Sequence, residues 1–358
     1  MTTSASARTP RRRLRAALSW LHLWCGLVIG SVFALVALTG TILVFHVELL
    51  RLQHPQLSAA APVADGAVLA RIVEEWRPHG LRSLDLPRTE LPVWQGYFED
   101  GHRSYFSPED GSLLLARSHR DDWLLWLHEL HVELLGGEVG KEVLGIAGWI
   151  ALGLLLSGLY LWWPNRNWLA QLKFHAGPPI RRWLSWHRSS GVVLLPLVLL
   201  IALTGVGMVY SQGFRAALSA LFGGAIHEAP VAGAAGPGAP DWSRVLAQVQ
   251  VALPGAQVNR LSVPAPGGGI VGFRARAAGE WHSVGRSEIH LDGAGSILQV
   301  VDATADPLGT RMHQAIYPLH IGAVGGWPYR IAVAISGLVP TFLLCTGFLF
   351  WRRRRGKR

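Results

Sequence analysis

The sequence predicts an α-helical membrane protein: a four-helix transmembrane bundle built from a parallel two-fold repeat, with a small α+β module in each of two extracytoplasmic loops. Three observations carry that prediction. Half of the 358 residues are apolar, and much of that content lies in four charge-free runs at 27–45, 143–163, 192–210 and 331–351. Each run is 19 to 21 residues long, enough to cross a hydrocarbon layer of about 30 Å as a helix rising about 1.5 Å per residue. The basic residues gather in the short stretches between runs, and the spans align with one another two by two. A soluble single-core chain is excluded by the first observation, and so is disorder.

The net charge of +10 would by itself raise nucleic acid as a partner. Its distribution removes that reading. Residues 1–15, 164–188 and 352–358 hold 16 of the 33 Lys and Arg and none of the 23 Asp and Glu, which leaves the rest of the chain at −6. Lys/Arg bias in short loops sets orientation, so these stretches, and with them both termini, are expected in the cytoplasm. Membrane lipid is the expected partner and nucleic acid is not.

In chain order, residues 1–17 form a basic N-terminus and 18–46 the first span. That span has a signal-peptide-like basic flank, but it is long and lacks a clear small-residue cleavage site, so it reads as uncleaved. The arginines at 11–13 read as a positive-inside flank rather than a twin-arginine signal. Residues 47–122 form the first outside module, with a helical stretch at 67–77 and strands at 93–98, 104–106 and 112–116. An interfacial helix and the second span occupy 123–163, a basic loop 164–185, and the third span 186–211. The second module, 212–312, has a helical stretch at 242–253 and strands at 269–276, 287–291 and 296–301, and its Gly/Ala/Pro-rich segment at 229–240 reads as a linker. An interfacial segment and the fourth span occupy 313–351, followed by a basic tail at 352–358.

The repeat lies in the spacing. A shift of 165 residues lays His22 on His187, Gly26 on Gly191, and Thr39 and Gly40 on Thr204 and Gly205. A shift of 189 lays His131 on His320, Gly136 and Gly137 on Gly325 and Gly326, Lys141 on Arg330, Gly148 on Gly337, and Ser157 and Gly158 on Thr346 and Gly347. Apolar residues match easily by chance in membrane helices; histidines, paired glycines and cations do not. Two spans return the chain to its starting side, so the copies run in the same orientation, related by an axis along the membrane normal.

Such an axis sets His22 against His187 near the cytoplasmic edge and His131 against His320 near the outer edge. Two imidazoles opposed across a bundle core are the axial ligand geometry of a b-type haem, so two haems b are expected, with these four histidines as metal ligands. No C-x-x-C-H is present, which excludes covalent c-type attachment, and Cys25 and Cys345 both lie in spans, so no disulfide framework is expected. Gly40, Gly158, Gly205 and Gly347, each after a small hydroxyl residue, could leave room for a flat ring or serve ordinary helix packing. Lys141 and Arg330 are candidate partners of haem propionates or interfacial anchors. His46 reaches the outer edge and is an alternative ligand in place of His131 or His320, though its repeat counterpart is Ser211; it could instead contact substrate. His128 and His313 lack histidine counterparts and read as outer-surface residues. No phosphate-binding loop, H-E-x-x-H or nucleophile–base pair is visible.

The stretches Trp20-Leu-His22, Phe45-His46-Val-Glu48, Leu130-His131-x4-Gly136-Gly137, Ser157-Gly158-Leu-Tyr-Leu-Trp-Trp-Pro164, Trp186-His187-Arg188 and Tyr317-Pro-Leu-His320 resemble the PepSY-associated transmembrane helix family. The resemblance spans nearly the whole chain, closely in the helices and loosely in the loops, where it implies PepSY-like α+β modules. It implies a bacterial inner-membrane protein similar to iron-regulated proteins and ferrioxamine-type siderophore reductases. Val47-Glu48 stands where members often have Glu-Glu. Some relatives add a cytoplasmic flavin reductase domain; this chain stops seven residues after Trp351, so a separate electron donor, a quinol or a cytoplasmic reductase, is expected.

The leading expectation is therefore a transmembrane electron conduit, an oxidoreductase whose periplasmic acceptor the resemblance suggests to be a ferric siderophore. A second is non-enzymatic: a membrane-anchored PepSY module that binds a peptide or protease or senses a signal. A transporter is a third, against which stand the expected lack of a discontinuous span and of a buried mid-membrane carboxylate.

Overall fold

The structure, a computed structural model, describes residues 10–58, 61, 63–163, 167–228, 230, 240–264, 270–292 and 294–356. The linker expected at 229–240 falls almost wholly outside these residues, as do parts of the three basic stretches. The chain divides into two compact units: a helical unit through Val44, over His128–Tyr210 and from Leu319 onward, and a sheet unit of Phe45–Leu127 and Ser211–Pro318.

One order of elements runs twice. The first half holds α1 (Pro10–Leu43), α2 (His46–Gln53), α3 (Gly66–Trp76), β1 (Leu81–Asp85), β2 (Trp94–Phe98), β3 (Arg103–Phe106), β4 (Leu113–Arg117), α4 (Trp123–Glu133) and α5 (Gly137–Trp162). The second holds α6 (Pro179–Val193), α7 (Leu195–Val209), α8 (Ser211–Phe222), α9 (Trp242–Ala252), β5 (Gln257–Ser262), β6 (Ile270–Arg276), β7 (Ser287–Asp292), β8 (Ile297–Val301), α10 (Leu308–His320) and α11 (Gly326–Arg355). The pair α6–α7 stands where the first half has α1.

The chain is a multi-pass membrane protein. Helices α1, α5 and α11 are each long and apolar enough to cross a bilayer, and α6 with α7 makes a fourth span if the two are taken as one. A helix meets all its backbone polar groups internally, which hydrocarbon demands. The expectation of four uninterrupted spans needs correction at the third: α6 and α7 meet at Leu194 with a bend of 65°. Pro196, in the first turn of α7, has no N–H to give and its ring crowds the preceding turn. Pro340 sits inside α11 without breaking it.

Small residues let the helices approach. Helix α1 packs along α11 and α5, α6 along α11, and α7 along α5. A Cβ added at Gly337 on α11 would stand 2.5 Å from the Ala37 carbonyl of α1, and one at Gly148 on α5 would stand 2.6 Å from Val206 of α7. These two glycines match in the repeat and do the same work in each copy. Thr41 Oγ1 adds a hydrogen bond to the Ala334 carbonyl at 3.0 Å.

In the sheet unit the two expected modules share one sheet. All eight strands pair antiparallel in the order β4-β3-β2-β1-β5-β6-β7-β8, so each half is a meander and β1 and β5 join them. The amphipathic helices α3 and α9 cover one face, because Val68, Leu69, Ile72 and Val73 recur on one side of α3 and Trp242, Val245, Leu246 and Val249 on one side of α9. They bury Leu84, Trp94, Phe106, Leu261, Phe273 and Ile289 beneath them. Asp65 caps α3 through the Ala67 and Val68 amides, and Asp241 caps α9 through the Arg244 amide. The opposite face carries the alternate residues of each strand, among them Asp85, Tyr97, Arg103, Arg260, Arg274 and Glu288.

A candidate site of paired histidines

The helical unit brings the four repeat histidines together as two pairs. His22 on α1 and His187 on α6 have ring centroids 6.2 Å apart with planes at 89°. His131 on α4 and His320 on α10 have centroids 6.1 Å apart with planes at 50°. Two separations within 0.1 Å of each other, from different helices, are what the repeat leads one to expect.

Each imidazole is held by a small-hydroxyl–glycine step on another helix. His131 Nδ1 lies 2.9 Å from Thr39 Oγ1 and 2.9 Å from the Val36 carbonyl. His320 Nδ1 lies 3.1 Å from both Thr204 Oγ1 and the Ile201 carbonyl. His187 Nδ1 lies 2.9 Å from the Leu343 carbonyl and 3.4 Å from Thr346 Oγ1. His22 Nδ1 lies 3.0 Å from Ser157 Oγ, whose own proton goes to the Leu154 carbonyl at 3.1 Å. A carbonyl only accepts, and a hydroxyl that has already donated must accept too. Nδ1 of His131, His187 and His320 therefore carries its proton and Nε2 keeps a lone pair, and His22 matches them when Ser157 gives its proton to Leu154.

The glycines complete these cradles. An added Cβ would stand 2.9 Å from His131 Cε1 at Gly40, 3.2 Å from His22 Cε1 at Gly158, 3.2 Å from His320 Cε1 at Gly205 and 3.3 Å from His187 Cε1 at Gly347. The space each glycine leaves is thus taken by an imidazole edge. The contact of the four hydroxyls with the histidines is what sequence reasoning missed. Their signal was present, since every one of these glycines follows Ser or Thr.

The other candidates lie elsewhere. Lys141 Nζ is 3.4 Å from Glu138 Oε1, an exposed pair on the first turns of α5. Arg330 donates to the Val44 carbonyl from Nε at 3.1 Å and Nη2 at 2.6 Å, and its guanidinium lies 5.0 Å from the Trp327 ring centre. These two repeat-matched cations thus have different contacts. His46 opens α2 in the sheet unit, after α1 has ended at Leu43. His313 Nε2 meets Ser211 Oγ at 2.9 Å, and His128 lies one turn before His131 on α4. Among the described residues no group of three or more His, Cys, Asp or Glu side chains could hold a metal ion by itself.

A comparison with curated proteins found none that matches. The family model described as the PepSY-associated TM region matches residues 19–354, which takes in all four paired histidines. With both pairs, their hydroxyl–glycine cradles and the two-fold order of elements inside that match, the chain belongs to the PepSY-associated TM region family.

Proposed function

We propose that the chain is a di-haem b electron-transfer protein of a bacterial inner membrane, reducing a periplasmic acceptor. His22 and His187 would hold one haem and His131 and His320 the other. The observation that carries this reading is the state of the histidines: in both pairs the Nδ1 protons are spent on hydroxyls and carbonyls, so two Nε2 lone pairs remain for one metal. An imidazole nitrogen sits about 2 Å from a bound first-row metal. Two such bonds plus the two half-widths of the rings come to roughly 6 Å, the centroid separation in both pairs. Two nitrogens alone suit a metal that brings its other ligands in a macrocycle. When bound, haem supplies reversible one-electron chemistry at iron.

The residues of the chain do the rest. The Val36, Ile201 and Leu343 carbonyls fix the tautomer at three of the histidines, and Thr39, Ser157, Thr204 and Thr346 add a polar contact at each Nδ1 that raises the basicity of the ligand nitrogens. Gly40 and Gly158, the cradles of the two sites on neighbouring helices, let the imidazoles enter the helix grooves. Helix α1 carries His22 at one site and Gly40 at the other, 18 residues on, a separation of about 27 Å along its axis. That length suits one site near each membrane face. By the excess of Lys and Arg, His22 and His187 lie toward the cytoplasm, where a separate quinol or cytoplasmic reductase would donate. Likeness to the siderophore reductases suggests a ferric siderophore as acceptor.

The test is an optical spectrum and haem count on purified protein made with ample haem. Two b-type haems per chain are expected, and none after combined His187→Ala and His320→Ala substitution. Absence of b-type bands in the parent, or their persistence in the double variant, overturns the reading. A second reading, a membrane-anchored module for peptides or signals, draws on edge strand β8, which exposes Ile297, Leu298 and Val300; it predicts that the four histidines can be replaced without loss of function. The bend at Leu194 removes continuity of the spans as an argument against transport, while the four apolar runs still carry no carboxylate.

A further inference from the structure

The sheet face opposite α3 and α9 gathers more cations than it neutralises. Arg260 pairs with the buried Asp85 and lies 4.7 Å over the Tyr97 ring, with Arg103 at 5.6 Å from the same ring. Arg88 Nη2 is 3.4 Å from Asp85 Oδ2, and Arg274 Nε is 3.7 Å from Glu288 Oε1. Arg286 follows in the β6–β7 connection. The third nearby carboxylate, Glu280, is committed to the Ala277 amide at 3.0 Å and the Ser287 hydroxyl at 2.6 Å. Five guanidiniums therefore face Asp85 and Glu288.

Two of the five are uncommitted. Among the described residues the Arg103 guanidinium touches only the Tyr97 ring, and Arg286 Nε is buried with no hydrogen-bond partner. An unmet buried donor is costly and asks for an acceptor. Both arginines act on the phenol of Tyr317, whose ionisation burial opposes first and which Arg103, Arg260 and Arg286 favour. Tyr317 is 41% exposed and stacks on His282, with ring centroids 5.2 Å apart and planes at 28°. His282 Nδ1 accepts from the Val284 amide at 3.2 Å, which leaves Nε2–H as a donor. Burial, then Arg286 and Arg274, holds that ring's pKa near 3, so it donates as a neutral group.

We propose that this face is a binding site for a small oxyanion, with Arg103 and Arg286 as its charged anchors, Tyr317 and His282 as donors, and their stacked rings as a platform for a planar group. Guanidinium forks match carboxylate and phosphate oxygens in pairs, and the exposed Tyr317 ring beside them, backed by the buried His282, suits a polycarboxylate or a flat organic acid. The inference does not depend on haem. It goes beyond the electron-transfer reading by giving the sheet unit a ligand of its own.

The experiment is calorimetric titration of citrate into full-length protein in zwitterionic-lipid nanodiscs at low salt, with inorganic phosphate as a second probe. One saturable site is expected, weakened about tenfold or more by combined Arg103→Met and Arg286→Met substitution and weakened by added salt. Arg71→Met, on the exposed side of α3, should leave it unchanged. Tyr317→Phe, which keeps the ring and drops the hydroxyl, should weaken binding several-fold, and it decides the matter if the double variant does not fold. Loss of citrate binding in nanodiscs of anionic lipid assigns a lipid phosphate as the natural oxyanion, and unchanged binding assigns a free anion. No binding by either probe at about 10 mM, or equal affinity in the parent and the arginine or Tyr317 variants, overturns the proposal.

Discussion

Gly40 on α1 lies directly against the imidazole of His131 on α4: a Cβ built there would stand 2.9 Å from Cε1. The ring cannot swing aside cheaply, because Nδ1 is tied to both Thr39 and Val36. Gly40→Ala should therefore displace His131 and cost about 1–3 kcal/mol. Thermal unfolding and haem content of the purified variant check this. Gly153→Ala on α5, with nothing within 4 Å, is the matched control, and it should be neutral or stabilising by up to about 1 kcal/mol.

The four cradles are not equally redundant. His131, His187 and His320 each have a backbone carbonyl at Nδ1 besides the hydroxyl, whereas among the described residues His22 has Ser157 alone. On the proposed haem reading, Ser157→Ala should consequently lower haem affinity at the His22–His187 pair about 10-fold or more, in the range typical of lost outer partners of metal ligands. Thr39→Val and Thr204→Val should have smaller effects. Haem titration of each apoprotein separates the cases; equal losses in all three would contradict the assignment.

Asp85 is 3% exposed and serves Arg260, Arg88 and the Tyr97 hydroxyl at once. Asp85→Ala leaves two guanidiniums without their carboxylate. Removal of one partner from a buried pair costs about 3–5 kcal/mol, and the 25% exposure of Arg260 places this case nearer 2–3 kcal/mol. Denaturant unfolding followed by tryptophan fluorescence should show the loss, and Asp85→Ala with Arg260→Met should recover part of it.

His282 gives the sheet unit a defined acid response. Burial, with Arg286, Arg274, Arg260 and Arg88, lowers its pKa from 6.5 to about 3. The unfolded chain then binds a proton that the folded chain refuses, so this contribution to stability is complete above pH 6.5 and falls as pH drops toward 3. The loss is on the order of a few kcal/mol. Urea midpoints measured across that window should fall less steeply for His282→Gln than for the parent.

Much of the helical unit was legible from spacing. Apolar runs set the spans, and polar residues in register set the histidine pairs, because a membrane helix has little reason to carry either twice by chance. The bend at Leu194 was not read, although Pro196 stood in view; Pro340 shows that a proline alone does not decide it. In the loops, outer strands with alternating apolar residues were found, but β1 and β5 were missed. Leu81-Arg-Ser-Leu-Asp85 and Gln257-Val-Asn-Arg-Leu-Ser262 are short and polar-rich, and they become strands by pairing with each other across the chain. The arginine-rich face was hidden for the same reason: its residues come from strands that meet only in the fold.

That β1–β5 seam has one more consequence. Leu84 opposes Leu261 at its centre, with Ser83 facing Ser262 on one flank and Asp85 facing Arg260 on the other. Two antiparallel edge strands meeting about a central pair are how a symmetric dimer of one unit joins to itself, and there both flanks must carry identical pairs. Within a single polypeptide that obligation lapses. One flank here is a neutral hydroxyl pair and the other an ion pair, so the molecule has a left and a right that no assembly of identical subunits could acquire at this join.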